Sequence, residues 1–416
     1  MEADLSHHAA ARVPRVGAQA WRPAVRHALL LYCVHQLLFL LTAVVSALLI
    51  PRTPLERDLV LWPPAALAAS RLDAIVFYAI RRYDVIWYMG IAEQGYGHRS
   101  GDTAFHPLYP LLGSIVGRIL GGDFFLGLWL VSQVCCVAML TVFYLLVQQH
   151  YDATAARRAT LLLMCSPLGF AFLLPYTESL LLLGILGALL AGAQRRWLLA
   201  GACGAVAALT KQPGAVVVLP LLYLLWQQQA ANLRGGRWRG ALRGMAGIGL
   251  VPLGLAGWVL YRATLGDVSF DWSQPQTLVS ALLVTPSYAD VWKEYFSWPW
   301  VNAGFARDQL LTRPYPYLII NVVIMLALLA IALYAIWRQR GAAAIFAMAI
   351  IVLNLSIVYP DWPYMGIVRR FTIIYPIFIQ LALWARRRSV LVTLVAIQLP
   401  LWLLISSMYL RNAFVP

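Results

Sequence analysis

Long apolar runs alternate along the chain with short basic connections. The runs are continuous rather than alternating in period two, which predicts helices and not the strands of a barrel. A span needs roughly 17–25 mainly apolar residues, and shorter stretches are tolerated inside a bundle. On that rule helices are expected near 28–50, 124–148, 159–174, 179–194, 197–210, 214–229, 241–262, 315–337, 342–359, 371–385 and 389–410. The expectation is an all-α integral membrane protein, a polytopic bundle of about eleven transmembrane helices, because lipid leaves backbone polar groups no external partner. The whole chain, 1–416, reads as one transmembrane domain with two long outer connections, 51–123 and 263–314. Connections of that length are usually functional. The first contains amphipathic stretches near 65–80 and 108–120, expected as interfacial helices. The second carries Trp272, Trp292, Trp298 and Trp300, suited to an interfacial layer or a sugar-stacking surface.

Composition agrees with the pattern. Of 416 residues, 61% are hydrophobic and 12% charged, whereas soluble domains are about one quarter charged. The net charge of +15 would suit nucleic acid, but its distribution argues for topology signals instead. The basic residues fall in clusters between apolar runs: Arg12, Arg15, Arg22 and Arg26; Arg157 and Arg158; Arg195 and Arg196; Arg234, Arg237, Arg239 and Arg243; Arg338 and Arg340; Arg386, Arg387 and Arg388. Placing these inside makes the N-terminus cytoplasmic, and an odd number of helices leaves the C-terminus outside. The run Ala28 to Ile50 is too long for a signal-peptide core and reads as a retained first helix. Cys33, Cys135, Cys136, Cys165 and Cys203 all lie in apolar segments without metal spacing, and are expected as buried structural thiols.

The densest polar stretch runs from Arg81 to Tyr96, followed by Ala104-Phe105-His106-Pro107-Leu108-Tyr109-Pro110. Asp84 sits there among arginines and aromatics at the membrane border, where a carboxylate is costly unless paired. Two readings stand: a structural ion pair with Arg81 or Arg82, or a functional carboxylate. Further polar sites recur at helix ends: Thr177-Glu178, Thr210-Lys211-Gln212-Pro213-Gly214, and Arg369-Arg370. Cations gathered beside a carboxylate suit a phosphate-bearing lipid, holding the phosphate as leaving group while the carboxylate takes a proton from an incoming hydroxyl. Their bland alternatives are a snorkelling lysine and interfacial anchors. His106 reads equally as a site hydrogen-bonder or a packed loop histidine. No Gly-rich phosphate loop, nucleophile elbow, Asp-x-Asp or His/Asp metal cluster is present, so no metal site and no cofactor is read.

The stretch Arg82-Tyr83-Asp84-x-x-Trp87-Tyr88-x-x-Ile91-Ala92-x-x-Gly95-Tyr96, followed by Ala104 to Pro110, resembles the first outer loop of PIG-V-type mannosyltransferases of the GT-C superfamily. Gly266-Asp267, Phe270 and Gln274 resemble that family's second outer-loop pattern. Thr210 to Gly214 is similar to its Thr-Arg-x-x-Gly turn, with lysine for arginine, and Arg369, seven residues before Pro376, to its Arg-Tyr…Phe-Pro segment. Departures are His106, where the family usually has phenylalanine, and Arg370, where tyrosine is common.

The resemblance implies a GT-C-type bundle and an inverting single displacement from a polyprenyl- or dolichyl-phosphate-mannose donor to a lipid- or glycan-linked acceptor on the outer face. It implies Asp84 as general base and Lys211 and Arg369, with Arg370 beside it, on the donor phosphate. Arg82, Tyr83, Trp87, Tyr88, Glu93, His106, Tyr109, Glu178 and Gln274 are the candidate substrate-binding residues. Expected partners are the lipid-linked donor, the acceptor and membrane lipids, with no nucleic acid. The expected location is the cell membrane, or the ER membrane in a eukaryote. The competing reading is a multi-pass lipid or solute transporter or flippase, which would place its polar groups near the bilayer midplane.

Overall fold

The computed structural model describes residues 17–50, 73–99, 101–266, 295–312 and 316–411. Among them the chain is a bundle of helices with one two-residue strand pair, Tyr295–Phe296 against Ile357–Val358. The protein is a multi-pass, all-α membrane bundle. Six helices are long and apolar enough to cross a membrane: Ala18–Leu49, Phe124–His150, Gln212–Arg234, Arg239–Thr264, Leu318–Gln339 and Arg388–Leu410. Helices Leu108–Ile119, Glu178–Ala193, Trp197–Thr210, Gly341–Ser356 and Tyr375–Trp384 are apolar but shorter. By length and composition, six of the expected eleven spans are supported among the described residues.

The Phe124–His150 helix is the axis of the fold. It packs against Ala18–Leu49, Leu108–Ile119, Ala153–Cys165 and Glu178–Ala193. Its start is set by Asp123, whose carboxylate accepts from the Leu126 N–H at 2.9 Å, filling one of the donors a helix N-terminus leaves open. Helix Leu108–Ile119 lies against it at unusual proximity. A Cβ added at Gly127 would stand 2.5 Å from the Gly113 carbonyl oxygen and 2.6 Å from the Gly117 nitrogen. Small residues spaced by four let two membrane helices approach backbone to backbone. This contact anchors the segment that carries His106 and Tyr109.

Several elements differ from the sequence reading. The first helix begins at Ala18, ten residues before the expected start at 28. The expected helix 159–174 ends at Cys165 and is followed by a 3-10 turn, Gly169–Leu173. Pro167 explains the stop, since the residue before a proline is pushed out of the helical region, and Ser166 is extended with ψ 152°. Non-helical backbone inside a membrane bundle must be satisfied by protein. Here the Leu173 carbonyl accepts from Gln133, the Tyr176 carbonyl from Ser132 and the Phe172 carbonyl from Ser179.

The expected helix 371–385 begins later, as Tyr375–Trp384, behind a separate short helix, Ile367–Phe371. Asp84–Gln94 and Pro299–Thr312 are helices that the polar composition of the outer connections concealed. Of the stretch 65–80, residues 65–72 lie outside the described residues, and the rest forms a π-turn and a short helix. Cys33 is exposed on the first helix, contrary to the expectation of burial; Cys135, Cys136 and Cys165 are buried and Cys203 partly so.

Candidate active site

Four charged side chains from four separated segments form one chain. Asp84 Oδ2 accepts from Arg369 Nη2 at 2.7 Å. The Nε of the same guanidinium lies 3.4 Å from Glu178 Oε1, and Lys211 Nζ donates to that oxygen at 3.1 Å. Arg369, not Arg81 or Arg82, is therefore the carboxylate's partner. Each group stands at a helix terminus. Asp84 and Glu178 are the first residues of Asp84–Gln94 and Glu178–Ala193, where the helix dipole favours a negative charge. Lys211 follows the last residue of Trp197–Thr210, and Arg369 lies in the short helix Ile367–Phe371.

Local backbone sets these positions. The helices Glu178–Ala193 and Trp197–Thr210 are joined by the turn containing Arg195 and Arg196 and pack along their length. Glu178 and Lys211 thus meet at the opposite end of that hairpin. Beyond Lys211 the chain folds back so closely that a Cβ on Gly214 would lie 2.1 Å from the Ala207 carbonyl oxygen; only glycine fits there. Tyr83, just before Asp84, has φ 53° and ψ −126°, and Tyr364 and Gly366, just before the Arg369 helix, have φ 58° and 64°. Positive φ in a tyrosine is strained and is found mainly where surrounding contacts impose it.

The two carboxylates differ in access. The Asp84 side chain is 27% exposed and that of Glu178 only 3%. Oε2 of Glu178 is buried without a hydrogen-bond partner among the described residues. Burial opposes the charge on Asp84, but Arg369, Lys211 and Arg370 outweigh it and hold the carboxyl below its ordinary range. Arg369 is held cationic in the same way: burial disfavours its charge, while Asp84 and Glu178 favour it more strongly. Its guanidinium also lies 4.8 Å over the Tyr176 ring, a cation–π contact.

The remaining candidates divide. Tyr88 is beside the charges: its hydroxyl reaches Thr177 Oγ1 at 3.4 Å, and burial, then Asp84 and Glu178, raise its pKa. Trp87 stacks on Phe105 at 5.5 Å, with the Arg99 guanidinium 4.0 Å over its ring. Arg370 donates to the Met365 carbonyl and faces the Tyr359 ring. His106 Nδ1–H donates to the Ala208 carbonyl at 2.7 Å. Arg82 and Tyr83 turn toward the end of the last helix: Arg82 Nη1 donates to the Tyr409 carbonyl at 2.8 Å, and the Tyr83 ring packs on Tyr409. Tyr109 is fully enclosed, its hydroxyl on the Leu128 carbonyl and Ser132. Glu93 is exposed near the far end of the Asp84 helix, about 13 Å along it by the helical rise. Gln274 lies outside the described residues, as do Asp267, Phe270, Trp272 and Trp292. Trp298 and Trp300 are exposed and stacked on each other.

Sequence reasoning singled out Thr177 with Glu178 but missed Tyr176 and Tyr409 as the frame around the charges. Nothing local marks them, because each acts through residues distant in the chain. Among the described residues, no group of three or more His, Cys, Asp or Glu side chains is placed to hold a metal ion.

Fold and site thus define a multi-pass helical membrane protein with a buried charge chain at one end of its bundle. Residues 104–246 match the family model of dolichyl-phosphate-mannose-protein mannosyltransferases. That region contains His106, Glu178 and Lys211. Among solved structures, the chain is similar to the Archaeoglobus fulgidus oligosaccharyltransferase in its apo form, at 14% identity and a TM-score of 0.43, covering 79% of this chain and 52% of that one. It is also similar to the oligosaccharyltransferase AglB of the same organism in complex with an inhibitory peptide and a dolichol-phosphate, at 14% identity and a TM-score of 0.40, covering 92% and 56%. The chain spans about half the length of these structures. No curated protein matches it.

Proposed function

We propose that the protein is a GT-C-type glycosyltransferase, a PIG-V-like mannosyltransferase. It moves a sugar, mannose by this reading, from a polyprenyl- or dolichyl-phosphate carrier to a lipid- or glycan-linked hydroxyl on the outer face. The observation that carries the reading is the single chain Asp84–Arg369–Glu178–Lys211. The family match over 104–246 supports the class of donor. With Arg370 beside them, two carboxylates and three cations leave one positive charge, the complement of one phosphodiester. In the reaction the acceptor oxygen bonds to the anomeric carbon of the sugar. The bond from that carbon to the phosphate oxygen breaks, and its electron pair leaves with the polyprenyl phosphate. The hydroxyl proton passes to Asp84, the more accessible carboxylate, which Arg369, Lys211 and Arg370 keep ionised. Arg369, Lys211 and Arg370 stabilise the charge that develops on the departing phosphate. Glu178 holds Arg369 and Lys211 on one oxygen. The charges lie at helix ends, an arrangement that supports a transferase at one interface over a carrier with groups at the midplane.

The test is transfer of radiolabelled mannose from polyprenyl-phosphate mannose by the purified full chain in liposomes. Asp84→Asn is expected to lower kcat by about 10²–10⁴-fold, the usual worth of general-base assistance, while the protein still folds. Wild-type turnover by that variant would remove Asp84 from the mechanism, and an inactive wild type with a full set of lipid acceptors would reject the transferase reading.

A further inference from the structure

The geometry points to His106 as a reader of sugar hydroxyls: its Nδ1–H is given to the Ala208 carbonyl, which leaves Nε2 as an atom that only accepts hydrogen bonds. The inference rests on the transferase reading and adds to it a residue that tells sugar from phosphate.

The partner of His106 is the end of the Trp197–Thr210 helix. Its last carbonyls have no intrahelical donors of the usual kind, because Lys211 is extended, with φ −165° and ψ 146°, and Pro213 has no N–H. The Lys211 N–H is used on Ala207. The His106 ring reaches the next carbonyl, Ala208, with Nδ1 at 2.7 Å. A carbonyl oxygen only accepts, so Nδ1 carries the proton and Nε2 of the neutral ring carries a lone pair. The ring stays neutral: burial lowers its pKa to about 4, with Arg262 and Lys211 adding to the effect and the Ala208 bond opposing it. Nε2 has no hydrogen-bond partner among the described residues.

The ring's surroundings put it at the site. Ala208 is three residues before Lys211, and Trp258 stands 6.1 Å from the imidazole. The preceding residue, Phe105, packs on both Trp87 and Tyr88, at 5.5 and 5.0 Å between rings, and Tyr88 reaches Thr177 beside Glu178. Phosphate oxygens accept and cannot donate to Nε2, whereas a sugar hydroxyl can. Cations facing phosphate on one side and an acceptor-only nitrogen on the other would orient a sugar phosphate in one direction.

His106→Asn tests this on the full chain, because an asparagine amide N–H can still serve the Ala208 carbonyl while nothing replaces Nε2. Affinities of wild type and variant are compared for three probes: a polyprenyl phosphate, the same lipid phosphate bearing mannose, and an alkyl mannoside. The variant is expected to bind the bare phosphate within about twofold of wild type and to lose about tenfold on one sugar-bearing probe, in line with one hydrogen bond. Loss on the mannose lipid assigns the hydroxyl to the donor; loss on the alkyl mannoside assigns it to the acceptor. Unchanged affinity for both sugar probes overturns the inference. If the substitution unfolds the chain, singly deoxygenated mannose in both probes reads the same contact on wild type, and no position costing more than twofold would overturn it. Wild type binding neither phosphate lipid would instead reject the donor reading on which the inference stands.

Discussion

The region from Asp84 to Thr210 and the region from Pro316 to Leu410 are built on different principles. In the first, the most apolar stretch of Phe124–His150 is 67% buried, against 22% for Arg388–Leu410 in the second. The first packs through glycines and satisfies its irregular backbone with Ser132, Gln133 and Ser179. The second exposes Val323, Leu326, Trp337, Val392, Ile397 and Leu404, as lipid-facing helices do. Asp84 and Glu178 come from the first region, Lys211 directly follows its last helix, and Arg369 comes from the second. The tightly packed half holds the carboxylates in place, and the lipid-facing half supplies the cation that makes both of them tolerable. A second tie runs the other way, from Arg82 to the Tyr409 and Leu410 carbonyls.

Cutting the first tie should have the largest effect. Arg369→Met leaves Asp84 and Glu178 sharing a buried site without their common partner. Removing one member of a buried pair costs about 3–5 kcal/mol, so a large fall in Tm is expected together with loss of transfer. Asp84→Asn in that background should cost much less than it does alone, because the charge it removes is then unpaired. Additive losses would mean that the two groups do not act as one unit. Arg82→Met cuts the second tie and strands carbonyls at the end of the last helix, at a cost of about 1.5–3 kcal/mol. The expected result is faster hydrogen exchange near residues 405–411 with donor affinity unchanged; equal exchange would show that the helix end is held by other contacts.

The smallest effect concerns pH. Asp84 is shifted below the ordinary carboxylate range. A lowered folded pKa gives stability that is present above the unfolded value and is lost as pH falls through the folded one. Transfer rates should therefore be flat, as far as Asp84 is concerned, from neutral pH down through the ordinary carboxylate range. In Arg369→Met, burial acts without its main counterweight, and the acidic fall-off should move to higher pH. An unmoved fall-off would show that Arg369 is not what keeps Asp84 ionised.

Much of the helical pattern was legible because it depends on residues close in sequence. The apolar run around Phe124 and the amphipathic stretch at 108–120 are local properties, and helices stand at both. Errors fell where a single residue or a distant contact overrode the run. Pro167 stopped one helix early, and the arginine-rich segment before Pro376 became a separate short helix. The Asp84–Gln94 helix was hidden because its polar start resembles a loop, although its buried face, from Val85 to Ala92, is apolar. The site was legible as a set of residue types and not as a set of contacts. Tyr109 and Arg82 stand in the same motif as Asp84, yet the fold turns one into the core and the other onto a helix end.

Sequence alone determined that this chain enters the membrane as apolar helices, since hydrocarbon admits little else for runs so poor in charge. It also placed the chemistry-bearing residues outside those runs, where charge is least costly. Only the tertiary structure decided that Asp84 pairs with Arg369, 285 positions away, while its neighbours Arg81 and Arg82 point elsewhere. Helix periodicity governs residues three or four apart, and no local rule reaches across a bundle. The pairing follows from where the ends of four separately formed helices come to rest.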